Sequence, residues 1–290
     1  MPKLKVVEFQ TVSYCNSDCL ICPWSQLKKH ATLKYMDEKT WANLLSGLKD
    51  MQPDRIIPYL NNEPLLDKNI FSKIEVLKNT VPHCTMELST NASLMSPDII
   101  EKLAESPLND ILISVFGHDR ESQKRIMGKN VPYEKVVYNV LQLKKALDQT
   151  RNHKNLAIVK VINSPYTSQE DIIKNKSFWQ DHGISVYEYG YLDRAGNIGT
   201  NCQRDADIKP YGCELNRHNE RMYLYFDGEA YLCCHDWRRR FSVGNINTSS
   251  LHDIWESENY TRLRMMVNGK LDSDKNFLCR SCKLCPVEAQ

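Results

Sequence analysis

The sequence has no apolar run long enough to span a membrane, and no apolar stretch of the kind a secretory signal requires follows Met1-Pro2-Lys3-Leu4-Lys5. A cytoplasmic protein with no membrane partner is therefore expected. Charge of one sign is lacking too. The 38 Lys and Arg nearly balance 36 Asp and Glu, for a net +2, so no bulk field draws the chain to nucleic acid. Internal repeats, low-complexity tracts and blocks of like charge are also missing. What is left, at 290 residues and 41% hydrophobic, is an ordinary globular chain with one main domain and a smaller appendage.

Cysteine, by contrast, is plentiful. Eleven cysteines in a reducing compartment suggest metal ligands rather than disulfides. Three of them form Cys15-x3-Cys19-x2-Cys22, and six crowd the tail at Cys213, Cys233, Cys234, Cys279, Cys282 and Cys285. Cys84 and Cys202 stand apart, and Cys84 reads as a small core hydrophobe. Soft thiolates select zinc or iron–sulfur clusters. Structural zinc normally takes four protein ligands, and near the first group only His30 offers a fourth. Three ligands on a four-iron cluster instead leave one iron open to chelate a substrate. In the tail, Tyr223 to Leu232 alternates around Asp227-Gly228 and reads as a hairpin. With Cys213 before it, Cys233 after it and Cys279-x2-Cys282 later, it suits a cluster or a zinc ion equally well.

Between Leu4 and Gly190, β-branched runs alternate with amphipathic stretches, the pattern of parallel strands joined by crossover helices. Strands are expected at Lys5 to Val12, Arg55 to Leu60, Cys84 to Ser89, Ile111 to Phe116, Leu156 to Ile162 and Ser185 to Tyr189. Helical stripes recur at Trp41, Leu44, Leu45, Leu48 and Met51, and at Val136, Val140, Leu143 and Leu147. Six such units suit an open or partial α/β barrel, whose ligands gather at the C-terminal strand ends. Those ends carry the first three cysteines, then Asn61-Asn62-Glu63-Pro64, Ser89-Thr90-Asn91 and Ser114. After about Asp193 the sequence turns turn-rich, so domains are drawn at 1–193 and 194–290.

The first cysteine spacing, on the loop after the first strand, resembles the signature of the radical S-adenosylmethionine (SAM) superfamily. Leu60-Asn61-Asn62-Glu63-Pro64-Leu65 is similar to that family's Gly-Gly-Glu-Pro segment, although asparagines replace both glycines and Ile21 replaces an aromatic residue. Cys213-x14-Gly228-x4-Cys233, followed by Cys234-His235-Asp236-Trp237, Gly244-Asn245-Ile246 and Trp255, resembles the SPASM domain in its shortened "twitch" form. The resemblance implies a partial (β/α)6 barrel with a small C-terminal α+β twitch/SPASM-like domain. It implies two [4Fe-4S] clusters, one on Cys15, Cys19 and Cys22 and an auxiliary one on Cys213, Cys233, Cys279 and Cys282, with Cys285 able to replace either of the last two. It further implies SAM bound by Asn61, Asn62, Glu63, Ser89, Asn91 and Ser114, although Ser89, Asn91 and Ser114 also read as ordinary strand-end caps.

The chemistry so implied is reductive cleavage of SAM to a 5′-deoxyadenosyl radical and abstraction of hydrogen from a substrate carbon. The leading expectation is oxidation of an alcohol in a sugar or aminocyclitol-type natural-product intermediate, with His235 or Glu188 as the base. Radical epimerisation with Cys234 as hydrogen donor is the first alternative; peptide cross-linking and a non-catalytic zinc-binding scaffold are the others. The expected partners are a small-molecule or peptide substrate and a flavodoxin/ferredoxin-type reductant, with no nucleic acid. Tyr189, Asp193, Arg194 and Asp236 are further candidates for substrate contact, while Trp237 and Trp255 read as core of the small domain.

Overall fold

A computed structural model describes residues 2–150, 154–198 and 209–286. In chain order the elements are β1 (Val6–Phe9), α1 (Trp24–Leu27), α2 (Glu38–Met51), β2 (Arg55–Ile57), α3 (Ile70–Thr80), β3 (Thr85–Thr90), α4 (Pro97–Glu105) and β4 (Asp110–Ser114). They continue with α5 (Arg120–Met127), α6 (Tyr133–Gln149), β5 (Asn155–Ile162), α7 (Gln169–Asp181), β6 (Ser185–Gly190), α8 (Arg217–Glu220), β7 (Arg221–Leu224), β8 (Glu229–Tyr231), β9 (Ser242–Asn245), α9 (Leu251–Glu256) and α10 (Glu258–Val267). One nine-stranded sheet runs in the order β6-β5-β4-β3-β2-β1-β7-β8-β9. The first six strands are all parallel, so their C-terminal ends share one rim.

All six expected strands of the barrel are present. The first two are shorter than the sequence suggests, for a physical reason. Pro58 follows β2 directly and has no N–H for the ladder, so pairing with β1 stops at Ile57. Beyond Phe9 the chain turns to other partners: Gln10 N donates to Leu224 O, and Val12 bridges Tyr35.

Both helical stripes face the core. On α2, Leu44 and Leu48 are fully buried, each worth about 1.5–3 kcal/mol of hydrophobic transfer. Asp37 caps this helix by accepting from Thr40 N at 2.7 Å. On α6, Val136, Val140, Leu143 and Leu147 are all buried.

The C-terminal part is built onto the barrel, across the boundary drawn from sequence at 193/194. Strand β7 pairs in parallel with β1 over Val6↔Arg221 to Phe9↔Leu224, and β8 and β9 continue the sheet antiparallel. Helix α9 packs so closely on α2 that a Cβ at Gly47 would stand 2.5 Å from Leu251 Cβ. The expected hairpin is β7–β8, turning at Asp227-Gly228, where Gly228 N donates to Tyr225 O. Trp255 is core, with its Nε1–H donating to Pro2 O at 2.7 Å. Cys84 is likewise buried. Trp237 is only half-buried, and its Nε1 has no partner among the described residues. No helix among the described residues is long and apolar enough to cross a membrane.

Candidate cofactor site

Cys15, Cys19 and Cys22 lie on the loop leaving β1, which backbone bonds pin to the end of α5. Asp18 N donates to Met127 O at 3.1 Å and Leu20 N to Ile126 O at 2.8 Å. Trp24 Nε1–H donates to Cys15 O at 2.9 Å, and Ser17 Oγ shares a 2.9 Å hydrogen bond with Cys19 Sγ. Burial raises all three thiols, Cys19 to about 12. Next come the charge of Glu63 and then Cys19 acting on Cys15, and Cys22 acting on Cys19. Three desolvated thiols that oppose one another's ionisation are a donor set for a cationic centre, which replaces their protons.

Gly128 seats this loop. Its φ of +83° and ψ of 171° lie in a region essentially restricted to glycine, and a Cβ there would stand 2.9 Å from Asp18 Cβ. Gly128→Ala is therefore expected to cost about 1–3 kcal/mol and to lower iron at the first site. Thermal unfolding and iron analysis check this, and an unchanged midpoint with full iron would contradict it.

The neighbouring strand ends close around the loop. Glu63 is buried, with Oε1 accepting from Leu65 N at 3.1 Å and Thr90 Oγ1 at 2.7 Å, and Oε2 from Asn91 N at 2.9 Å. Burial nevertheless raises its carboxyl to about 6. Asn91 Nδ2 donates to Asn16 Oδ1 at 2.8 Å, while its Oδ1 caps Ser93. Asn61 Nδ2 donates to Tyr225 OH at 2.9 Å. Asn62 Oδ1 accepts from Leu60 N, but its buried Nδ2 has no partner among the described residues. An orphaned buried amide next in the chain to Glu63, whose charge acts on Cys15, fits a polar ligand such as SAM. Ser89 and Ser114 are half-buried on β3 and β4.

In the tail, Cys213, Cys233, Cys279, Cys282 and Cys285 line one pocket, together with Arg217 and His235. Burial raises Cys279, with Cys282, Cys285 and Cys213 adding to the effect. Among the described residues, no three such side chains converge on a single-ion position. Thiolates grouped in this way can hold either an iron–sulfur cluster or a zinc ion. No disulfide joins the described cysteines, and Cys202 lies outside the described residues.

The two thiol groups are linked. Arg194 lies close enough to Cys22 to favour its thiolate. Its Nη1 is 3.5 Å from His235 Nε2, which Arg217 Nη1 approaches at 3.2 Å. His235 Nδ1 is 3.9 Å from Cys282 Sγ. Guanidinium groups only donate, so Nε2 accepts and Nδ1 carries the proton. Burial and the two arginines lower His235 to about 3. His235 thus bridges Arg194 and Arg217 to Cys282.

Tyr189, the residue after Glu188 on β6, lies near Arg194, Cys22 and Cys19, and successive strand side chains face opposite ways. Glu188 accordingly faces α7, 3.2 Å from Lys176 Nζ. Asp236 is buried and accepts from Arg240 N and Phe241 N, closing its own turn. Asp193 is buried too, with Oδ1 accepting from Ala195 N.

Sequence reasoning missed the polar interior of the barrel. Cys234 is not among the residues lining the cysteine cavity; it lies near Glu8, Arg217 and Tyr223. Glu8 Oε1 accepts from Arg221 Nη1 at 2.8 Å, and burial raises its carboxyl to about 7. The buried Tyr223 OH and Gln10 Oε1 have no hydrogen-bond partner among the described residues. Period-two reading of β1 could have found Glu8 and Gln10, polar at alternate positions between buried Val7 and Phe9. No sequence signal marks Arg217.

With this geometry in view, the chain matches the family model "Radical SAM superfamily" over residues 9–162 and the model "Iron-sulfur cluster-binding domain" (SPASM) over 213–286. A curated relative, the S-adenosyl-L-methionine-dependent 2-deoxy-scyllo-inosamine dehydrogenase of Niallia circulans, is 20% identical over 100% of this chain and 97% of its own. Among solved structures, BtrN in complex with AdoMet and 2-DOIA is 19% identical, with a TM-score of 0.65 over 98% of this chain and 94% of that one. Streptococcus suis SuiB bound to precursor peptide SuiA is 18% identical, with a TM-score of 0.71 over 97% and 70%. At such identities the solved structures show the fold alone.

Proposed function

Because the chain belongs to the radical SAM superfamily, with SAM and [4Fe-4S] clusters as its cofactors, we propose that it oxidises an alcohol carbon of a sugar or aminocyclitol-type substrate. Cys15, Cys19 and Cys22 would hold one cluster, and four of the five cavity cysteines the other. When bound, SAM and the first cluster supply hydrogen-atom abstraction, and the second cluster supplies a one-electron acceptor. The carrying observation is the second thiol cavity, joined to the first group through Arg194 and His235. Oxidation needs an electron sink beside the substrate, and epimerisation does not. The full-length likeness to a dehydrogenase supports the same reading.

Converting a secondary alcohol to a ketone removes one hydrogen atom, one proton and one electron. Glu8 is the group best placed to take the proton. It lies inside the barrel, Arg221 holds one of its oxygens, and a carboxyl near 7 is poised for proton transfer at neutral pH.

Epimerisation is the second reading, favoured by one observation: the Cys234 thiol neighbours Glu8 and Tyr223 rather than lining the cavity. Incubation with an aminocyclitol and sugar panel that includes 2-deoxy-scyllo-inosamine separates the two. Oxidation gives a product lighter by two hydrogens, carries no deuterium from deuterium oxide and persists in Cys234→Ala. A product of unchanged mass, labelled once in deuterium oxide and lost in Cys234→Ala, would establish epimerisation instead.

A further inference from the structure

In Leu60-Asn61-Asn62-Glu63-Pro64-Leu65 two asparagines stand where the similar family segment has glycines. The first of them makes a bond that glycine, with no side chain, could not. Asn61 Nδ2 donates to Tyr225 OH at 2.9 Å. Asn61 follows β2, while Tyr225 directly follows β7. These two strands flank β1 in the sheet, about 10 Å apart at ordinary strand spacing. The bond therefore joins segments on either side of the strand that leads into the first cysteine loop. The other anchors of the segment all belong to the barrel. Glu63 N donates to Tyr14 O at 3.0 Å, next in the chain to Cys15, and the Glu63 carboxylate is held by Leu65, Thr90 and Asn91. Tyr225 is the tie to the C-terminal part.

The Tyr225 side chain has little freedom to lose. It is buried, and its ring meets Tyr231 edge-on, with centroids 4.9 Å apart at 69°. Arg239 lies over the same ring at 4.9 Å, itself fixed by Asp227 at 2.6 Å and by Tyr231 OH at 2.7 Å. The backbone is pinned as well, because Tyr225 N donates to Glu229 O and Tyr225 O accepts from Gly228 N, both at 2.9 Å. Burial raises the pKa of the phenol, so it keeps its proton. That proton is directed to Asp236 O, 3.5 Å away, which leaves the oxygen free to accept from Asn61. Next in the chain to Asn61 is the buried Nδ2 of Asn62, without a partner among the described residues. A fixed hydroxyl at Tyr225 thus limits where that amide can point.

We propose that the Tyr225 hydroxyl is a positioning group for SAM: through Asn61 it holds Asn61-Asn62-Glu63 in the conformation that takes the cofactor. The affinity of the barrel for SAM is then set in part by the C-terminal hairpin. The proposal rests on the placing of SAM at this segment, not on the alcohol chemistry. A preorganised segment binds more tightly because its ordering is already complete before the ligand arrives. Asn61, Tyr225 and Asp236 also form the shortest chain of side-chain bonds from this segment to the turn after Cys233, where Asp236 N donates to Cys233 O at 3.0 Å.

The test uses the full chain with both clusters reconstituted and reads SAM affinity by equilibrium dialysis without reductant, so that no turnover occurs. Tyr225→Phe removes the hydroxyl and keeps the ring that packs on Tyr231 and Arg239. Losing one hydrogen bond of this kind is expected to weaken SAM binding about threefold to tenfold, with iron content as in the parent. Asn61→Ala removes the other end of the bond. Because the hydroxyl acts through Asn61, adding Tyr225→Phe to Asn61→Ala should change affinity by less than about twofold. Backbone amide exchange over residues 58–66, measured without SAM, should be faster in Tyr225→Phe and in Asn61→Ala. Equal SAM affinity in Tyr225→Phe and the parent would overturn the proposal, and so would two losses that multiply in the double variant. If Tyr225→Phe loses iron, exchange in Asn61→Ala decides, and an unchanged rate overturns the positioning role. A parent chain that binds no SAM would instead overturn the cofactor site at Asn61-Asn62-Glu63, and the positioning role with it.

Discussion

Replacing Cys15, Cys19 and Cys22 together by alanine will abolish reductive cleavage of SAM while leaving the C-terminal cluster in place. Two four-iron clusters give about eight irons per chain, and the triple variant should retain about four. The two thiol groups are held by different parts of the chain, which is why one is expected to survive loss of the other. The first is fixed by the end of α5 through Met127 and Ile126; the second is held around the cavity lined by Cys213 and Cys279. The measurements are deoxyadenosine formation with dithionite, iron content and cluster absorbance. Persistent deoxyadenosine in the variant would remove these cysteines from the site.

The second large effect is structural. Cys279→Ala removes a cavity thiol whose ionisation Cys282, Cys285 and Cys213 oppose. Metal binding at such a site is folding free energy, on the order of 10 kcal/mol in small metal-bound domains. Losing only part of it moves the thermal midpoint by about 2–4 °C per kcal/mol in chains of comparable size. The variant should lose about four irons and unfold its tail at lower temperature, with the barrel transition following because β7 pairs with β1 and α9 packs on α2. Cys213→Ala should behave alike. In Cys285→Ala, full iron would leave Cys213, Cys233, Cys279 and Cys282 as the ligands; loss of about four irons would bring Cys285 into the set. A Cys279→Ala chain with unchanged iron and midpoint would contradict its role as a ligand.

The polar groups of the site were legible in unequal measure. The cysteines announced themselves because metal ligation needs a fixed residue type at short, fixed spacing, and that spacing is a property of the chain alone. The face of Glu188 was not legible from the strand end alone; one residue along β6 reverses the direction of the side chain, and Lys176 on α7 fixes which way it points. The surroundings of His235 were hidden for another reason. Its character depends on Arg194 and Arg217, which lie 41 and 18 residues away in sequence. Glu8 went unread although the alternation of β1 marks it as facing away from Val7 and Phe9.

The amino-acid sequence by itself determined the parallel strands, the helical stripes on α2 and α6, the hairpin turn at Asp227-Gly228 and both cysteine groups. Each of these is written in local spacing: periods of two and 3.6, a turn dipeptide, ligands three and four residues apart. The tertiary structure decided what lies between distant segments. It alone joins β7 to β1, making one sheet of two expected domains. It alone sets Arg194 and His235 between the two thiol groups, and buries Glu8 beside Arg221. These pairings span tens to hundreds of residues, and they are selected by burial of the whole core and by the electrostatics of the buried interior, neither of which any short window of sequence contains.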